Sequence, residues 1–267
     1  MKISTFFFKS VLVSVFCCIG LMAGAQKLPN TQQQSLRLPA NFKIDGKAIE
    51  WNNQFRAYNK STDVYYTIAN DDEHLYLIMQ ATDPKMISKM IGGGGVTLTI
   101  QKSGKKSDKG GISIMYPVFD KKTRPAFNLI AIQDKEDAHP GSVNKDSVMS
   151  AYNKTLGDRS KLISITGIAG MDSLISVYNE DGIKVAGMFD NKLAYTYELS
   201  VDLKQLGLTI NDAAKFAYHT NIGSSISKSL ASMMSFEVGA DGAVSHGGAN
   251  PAAAYTDFWG EYTLAKK

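Results

Sequence analysis

The feature that most constrains this chain is a succession of short apolar segments, each roughly ten residues from the next and each closed by turn chemistry. Residues 63–69, DVYYTIA, put Val64, Tyr66 and Ile68 on one side and Tyr65 and Thr67 on the other. NDDEH then turns the chain, and LYLIMQA (75–81) returns with Leu75, Leu77 and Met79 in phase. Period-two alternation on both sides of an Asn/Asp turn predicts a hairpin. VTLTI (96–100), GISIMYPV (111–118), FNLIAI (127–132), three segments between 161 and 190, KFAYHTNIG (215–223) and TDFWGEYTL (256–264) read as further strands. Asp83 and Pro84 fit the cap and first position of a short helix, with Met86, Ile87, Met90 and Ile91 on one face. In residues 192–208 a strand alternating at Leu193, Tyr195, Tyr197 and Leu199 passes into one helical turn closed by Gly207. No repeat of fixed period appears. The expectation is a mainly β fold, a single antiparallel β-sandwich with one or two short helices.

The start of the chain has a different character. Lys2 and Lys9 precede the apolar run VLVSVFCCIGLM (11–22), and Ala23-Gly24-Ala25 stands before Gln26. A dozen apolar residues are too few to cross a bilayer, so residues 1–25 read as a signal peptide cleaved near Gln26. Phe16 before Cys17 and Cys18 argues against lipid attachment, and the processed chain would be soluble in the periplasm or outside the cell. Both cysteines of the sequence lie in this run, so disulfides, a thiol nucleophile and a thiolate metal site are excluded from the mature protein. The sequence holds 29 Lys+Arg and 25 Asp+Glu. Without Lys2 and Lys9 the excess is 27 against 25, which is no footprint for nucleic acid. No second apolar run is long enough for a transmembrane segment. Residues 26–41 read as a polar spacer, 42–267 as the β-sandwich domain, and the Ser/Gly/Ala-rich stretch near 223–254 as a mobile loop.

Four stretches carry a resemblance. FKIDGKAIEW (42–51), HLYLIMQATD (74–83), YTYELSVDLKQLGL (195–208) and FWGEYTL (258–264) resemble, in that order, landmarks of the carbohydrate-binding module family 9-like group, related to DOMON domains. The resemblance implies an immunoglobulin-like sandwich in an exported bacterial protein. It also implies sugar binding by aromatic stacking, often with calcium nearby, or haem binding in some relatives. It gives Asp45, Gly46, Trp51 and Trp259 structural roles.

Sugars bind through apolar C–H faces laid on aromatic rings, with hydroxyls paired to polar side chains. Aromatics outside clean strand alternation are therefore the ligand candidates: Tyr116, Phe119, Tyr152, Tyr255 and Phe258, with Arg124 and Asn128 as polar partners. Asp71, Asp72 and Glu73 concentrate carboxylates in one turn and are the weak candidates for calcium, though they are also ordinary turn residues. Haem would need His74, His139, His219, His246, Met79 or Met188 as axial ligand, and no C-x-x-C-H motif is present. Lys102, Lys105, Lys106 and Lys109 form a basic hairpin tip that, with Lys121, Lys122 and Arg124, could face an acidic glycan or simply remain solvated. No hydrolase elbow, zincin helix or phosphate loop occurs. Three functions stay open: a non-catalytic binding module for a glycan or related small ligand, an envelope module that contacts a protein partner, and a haem-binding electron carrier.

Overall fold

The computed structural model describes residues 27–38, 42–51, 54–92, 94–119, 124–212, 214–223 and 256–267, and the backbone of two short strands between 223 and 256. The fold is a β-sandwich of two antiparallel sheets. The first holds β1 (Ala57–Asn59), β2 (Val64–Asn70), β3 (His74–Ala81), β9 (Tyr195–Asp202) and β8 (Ile183–Phe189), in the order β1-β2-β3-β9-β8. The second is ordered β13-β10-β4-β5-β6-β7, from β4 (Val96–Gln101), β5 (Ile112–Tyr116), β6 (Leu162–Thr166), β7 (Leu174–Ser176), β10 (Phe216–Ile222) and β13 (Thr256–Tyr262). The two remaining strands, β11 (Phe236–Val238) and β12 (Val244–His246), pair with each other. The rest of the expected loop at 223–254 lies outside the described residues, as does the segment 1–25.

Alternation places the core. Tyr66 and Ile68 of β2, Leu77 and Met79 of β3, and Tyr197 and Leu199 of β9 turn inward against Leu98, Ile114 and Tyr218 of the other sheet. Large rings span the gap between sheets, and Tyr66 and Tyr218 pair their hydroxyls at 3.1 Å in the middle. The β2–β3 hairpin has the expected register, with Ile68 opposite Leu77. Helix α1 (Pro84–Ile91) starts where the sequence placed it. Asp83 accepts the Met86 N–H at 2.8 Å, and the four apolar residues of its inner face are buried.

Three readings need correction. FNLIAI does not form a strand: from Leu129 it opens α2 (Leu129–Ala138), and only Leu129 is buried. A second helix follows, α3 (Lys145–Arg159), capped by Asn144 and with Leu156 alone fully buried. The α-helices among the described residues thus number three. Short apolar runs do not distinguish strand from helix, and a helix that buries one residue carries no stripe to read.

Residues 27–38 are also more than a spacer. Because β1 is three residues long, the outer edge of β2 is bare beyond Tyr66, and this segment closes it. The Gln32 side chain accepts from Ile68 N and donates to Ile68 O, both at 2.8 Å, in place of a strand neighbour. Further along, Leu38 N donates to Asn70 O and Asn70 N to Leu36 O. An open edge is a template for wrong pairing, and here it is covered. Leu28, Leu36 and Leu38 then join Phe42, Ala48, Trp51 and Phe55 in a second apolar cluster on the outer face of the first sheet, against Ala69 and Ile78.

Candidate functional site

The outer face of the second sheet supplies the site. On β13, Phe258, Gly260 and Tyr262 are buried, while Asp257 and Glu261 are exposed and Trp259 is half-buried between them. Trp259 is directly opposite His219 of β10. The two rings stack in parallel, 4.3 Å apart and 6° from coplanar. His219 is 5% exposed, and carboxylates lie at both of its nitrogens. Nδ1 is 2.8 Å from Asp108 Oδ1 and Nε2 is 2.7 Å from Asp257 Oδ2. Asp108 belongs to the tip between β4 and β5, so the histidine joins that tip to the sheet.

Trp259 borders an open groove of about 350 Å³. One wall is the edge-covering segment at residues 31–35, tied to the chain just past β13 where the Ser35 hydroxyl donates to Thr263 O. The other is formed by Lys106 of the tip, Lys215 and Glu261. Lys215 and Glu261 pair at 3.0 Å, and that bond, with Lys106 nearby, holds the Glu261 carboxyl below its usual range. The Trp259 ring, amide side chains and groups of both charges thus border a single groove.

The residues singled out from the sequence are dispersed. Tyr116 is buried against Tyr197, with burial pushing its phenol up to about 12. Phe258 is buried against Tyr66 at 4.7 Å. Neither ring can be a stacking platform, because strand phase turns both into the core. Tyr152 joins Phe127 and Phe189 in an aromatic cluster under α3, and its hydroxyl accepts the Asn128 N–H at 3.1 Å. Phe119 and Arg124 line a small crevice beside Pro117 and Ile91. Tyr255 lies outside the described residues.

The carboxylate turn is structural. Asp71 Oδ1 accepts the backbone N–H groups of Glu73 and His74, and Oδ2 accepts from Tyr76, which is turn chemistry. Asp72 pairs with Arg37 and Lys267, and Glu73 is exposed. No group of three metal-ligating side chains occurs among the described residues. His74 bridges Asp71 and Asp202 as His219 bridges its own pair, so both imidazoles engage carboxylates at both nitrogens. Met79 is fully buried in the core.

The structural residues show why the first and third landmark stretches go together. Glu198, fully buried on the outer face of β9, accepts the N–H groups of Asp45 and Gly46 on one oxygen, at 2.8 and 2.7 Å. Gly46 has φ of +81°, and a Cβ there would sit 2.7 Å from that of Met188. Only glycine fits the turn that delivers both donors. Burial pushes the Glu198 carboxyl up to about 8, the charges of Asp45 and Glu50 add to this, and the two N–H groups oppose it. Its other oxygen, like Trp51 Nε1, has no hydrogen-bond partner among the described residues. Trp51 is buried edge-on to Phe42. Trp259, by contrast, belongs to the groove; its phase with Asp257 and Glu261 was the signal.

No family model matches this sequence, and no curated protein matches it. Among solved structures the chain is similar to a family 9 carbohydrate binding module from Caldicellulosiruptor kristjanssonii in complex with glucose. The identity is 10% over 88% of this chain and 96% of that one, with a TM-score of 0.35. Likeness at that level fixes neither ligand nor site.

Proposed function

We propose that this chain is a non-catalytic, exported module that binds a glycan in the groove bordered by Trp259. The observation that carries the reading is the Trp259 ring, half-exposed and backed in parallel by His219. A sugar ring needs a flat apolar surface already fixed in place, with hydrogen-bonding groups at its rim. Gln33, Lys106, Lys215 and Glu261 supply that rim. Export is supported by the charged, apolar and small-residue order of residues 1–25. Among the described residues no helix is long and apolar enough to cross a membrane.

The test is binding of residues 26–267 to a panel of neutral and acidic polysaccharides, by affinity electrophoresis and then calorimetry. Trp259→Ala is expected to weaken any binding roughly tenfold or more, about 1.4 kcal/mol, and Trp259→Phe to recover part of it. An empty panel, or binding that Trp259→Ala leaves unchanged, would refute this assignment.

A further inference from the structure

The hairpin tip at residues 102–110 lies over the outer face of the second sheet. Within itself it is held by local bonds: Gln101 Nε2 donates to Ser107 O and Lys109 O, and Gly111 N donates to Asp108 O. Its side-chain tie to β10 is Asp108 to His219. Beneath it, Thr99 is 4% exposed and shares a 2.8 Å hydrogen bond with Ser113. The tip also carries Lys106 to the rim of the Trp259 groove.

A neutral imidazole has one N–H and can donate to one carboxylate only. With both carboxylates ionised, both short contacts of His219 are hydrogen bonds only when the ring carries two protons. Among the described residues, the charged groups facing the ring are Asp108 from the tip and Asp257 from β13. Lys106, Lys215 and Glu261 stand farther off around the groove, and the β4 neighbour in register is the uncharged Thr99. We infer that His219 is a proton-operated latch: doubly protonated, it pins the tip through Asp108 while Asp257 holds its other side, and loss of one proton releases the tip. Asp257 keeps the remaining N–H because its backbone is fixed in the β10–β13 ladder opposite Asn221. Release uncovers Thr99 and Ser113 and withdraws Lys106 from Trp259, which extends the groove across the sheet. The latch stands whether or not the groove takes a glycan; only this last consequence rests on that reading.

The experiment is amide hydrogen exchange on the ligand-free protein at about pH 5 and about pH 9, corrected for intrinsic exchange. Tip amides are expected to lose roughly tenfold protection at the higher pH relative to those of β4. Asp108→Asn should show that loss already at the lower pH. Asp257→Asn should abolish the pH dependence, because an asparagine amide donates to Nε2 and leaves the single N–H for Asp108. Nitrogen NMR of the ring should show two N–H groups at the lower pH. Equal tip protection at both pH values in the wild type, a single N–H at low pH, or an Asp257→Asn tip that still opens at high pH would overturn the latch. None of these readouts uses a glycan, so an empty polysaccharide panel leaves them intact.

Discussion

Replacing Glu198 by Gln tests the buried carboxylate that joins the Asp45–Gly46 turn to β9. In the folded chain this group titrates at about 8, against an ordinary value of 4.5. Between those values the native state holds a proton that the unfolded state has released. Stability therefore falls as pH rises through this window, since the native state binds more protons. Each unit is worth about 1.36 kcal/mol, so the three units from pH 5 to pH 8 set a ceiling of about 4 kcal/mol. Local opening of residues 42–51 would let the carboxylate reach water without global unfolding, and this reduces the expected loss to about 2 kcal/mol.

Glutamine keeps the shape and an oxygen for the two N–H donors but cannot ionise. The expected result is a variant within about 1 kcal/mol of wild type at pH 5 that gains on it by about 2 kcal/mol at pH 8. Urea unfolding of both proteins at each pH, followed by tryptophan fluorescence, measures this directly. Subtracting the two curves cancels every other titrating group. Parallel curves across the range would refute the reasoning. So would a large, pH-independent loss in the variant, because it would mean that the charged form is the one the fold requires.

Gly46→Ala should cost at least about 2 kcal/mol, from its left-handed backbone and the collision with Met188, and a lowered melting temperature would show it. Gln32→Ala unpairs the N–H and C=O of Ile68 and should cost about 2 kcal/mol in urea unfolding, with faster exchange at the β2 edge. Phe258→Ala and Trp259→Ala are neighbours with opposite expected consequences. The first opens the core and should lose about 3–5 kcal/mol of stability. The second should weaken ligand binding while costing much less stability, and a ligand effect confined to Phe258 would reverse the assignment of faces.

The sandwich was legible because alternation is a one-dimensional record of which face is buried. β2, β3, β9 and β13 each state their phase in seven or eight residues, and the cap of α1 is written in two. What was not legible has a physical cause in each case. Helices α2 and α3 bury Leu129 and Leu156 and little else, so their sequences contain no period to find. The segment at 27–38 pairs backbone to backbone and through Gln32, a role that leaves no apolar period, and its three leucines are too scattered to show one.

The groove proposed for a ligand is harder to read from the sequence, for a different reason. Lying outside clean alternation does not free an aromatic to bind: Tyr116 and Phe258 follow the inward phase of their own strands. The closing motif gives Trp259 a structural role, yet the residue shares the outward phase of Asp257 and Glu261. Strand phase is the stronger guide, because a one-residue shift moves a side chain from core to solvent whatever its type. The partner that makes Trp259 a fixed surface could not be read at all. His219 stands 40 positions earlier in the sequence, and only the β10–β13 register brings its ring under the indole. Asp108, farther still along the chain, shows the same limit: that a tip carboxylate meets this histidine is a fact of topology. Patterning tells which side of a sheet a residue occupies, and pairing between distant strands decides which residues on that side can act together.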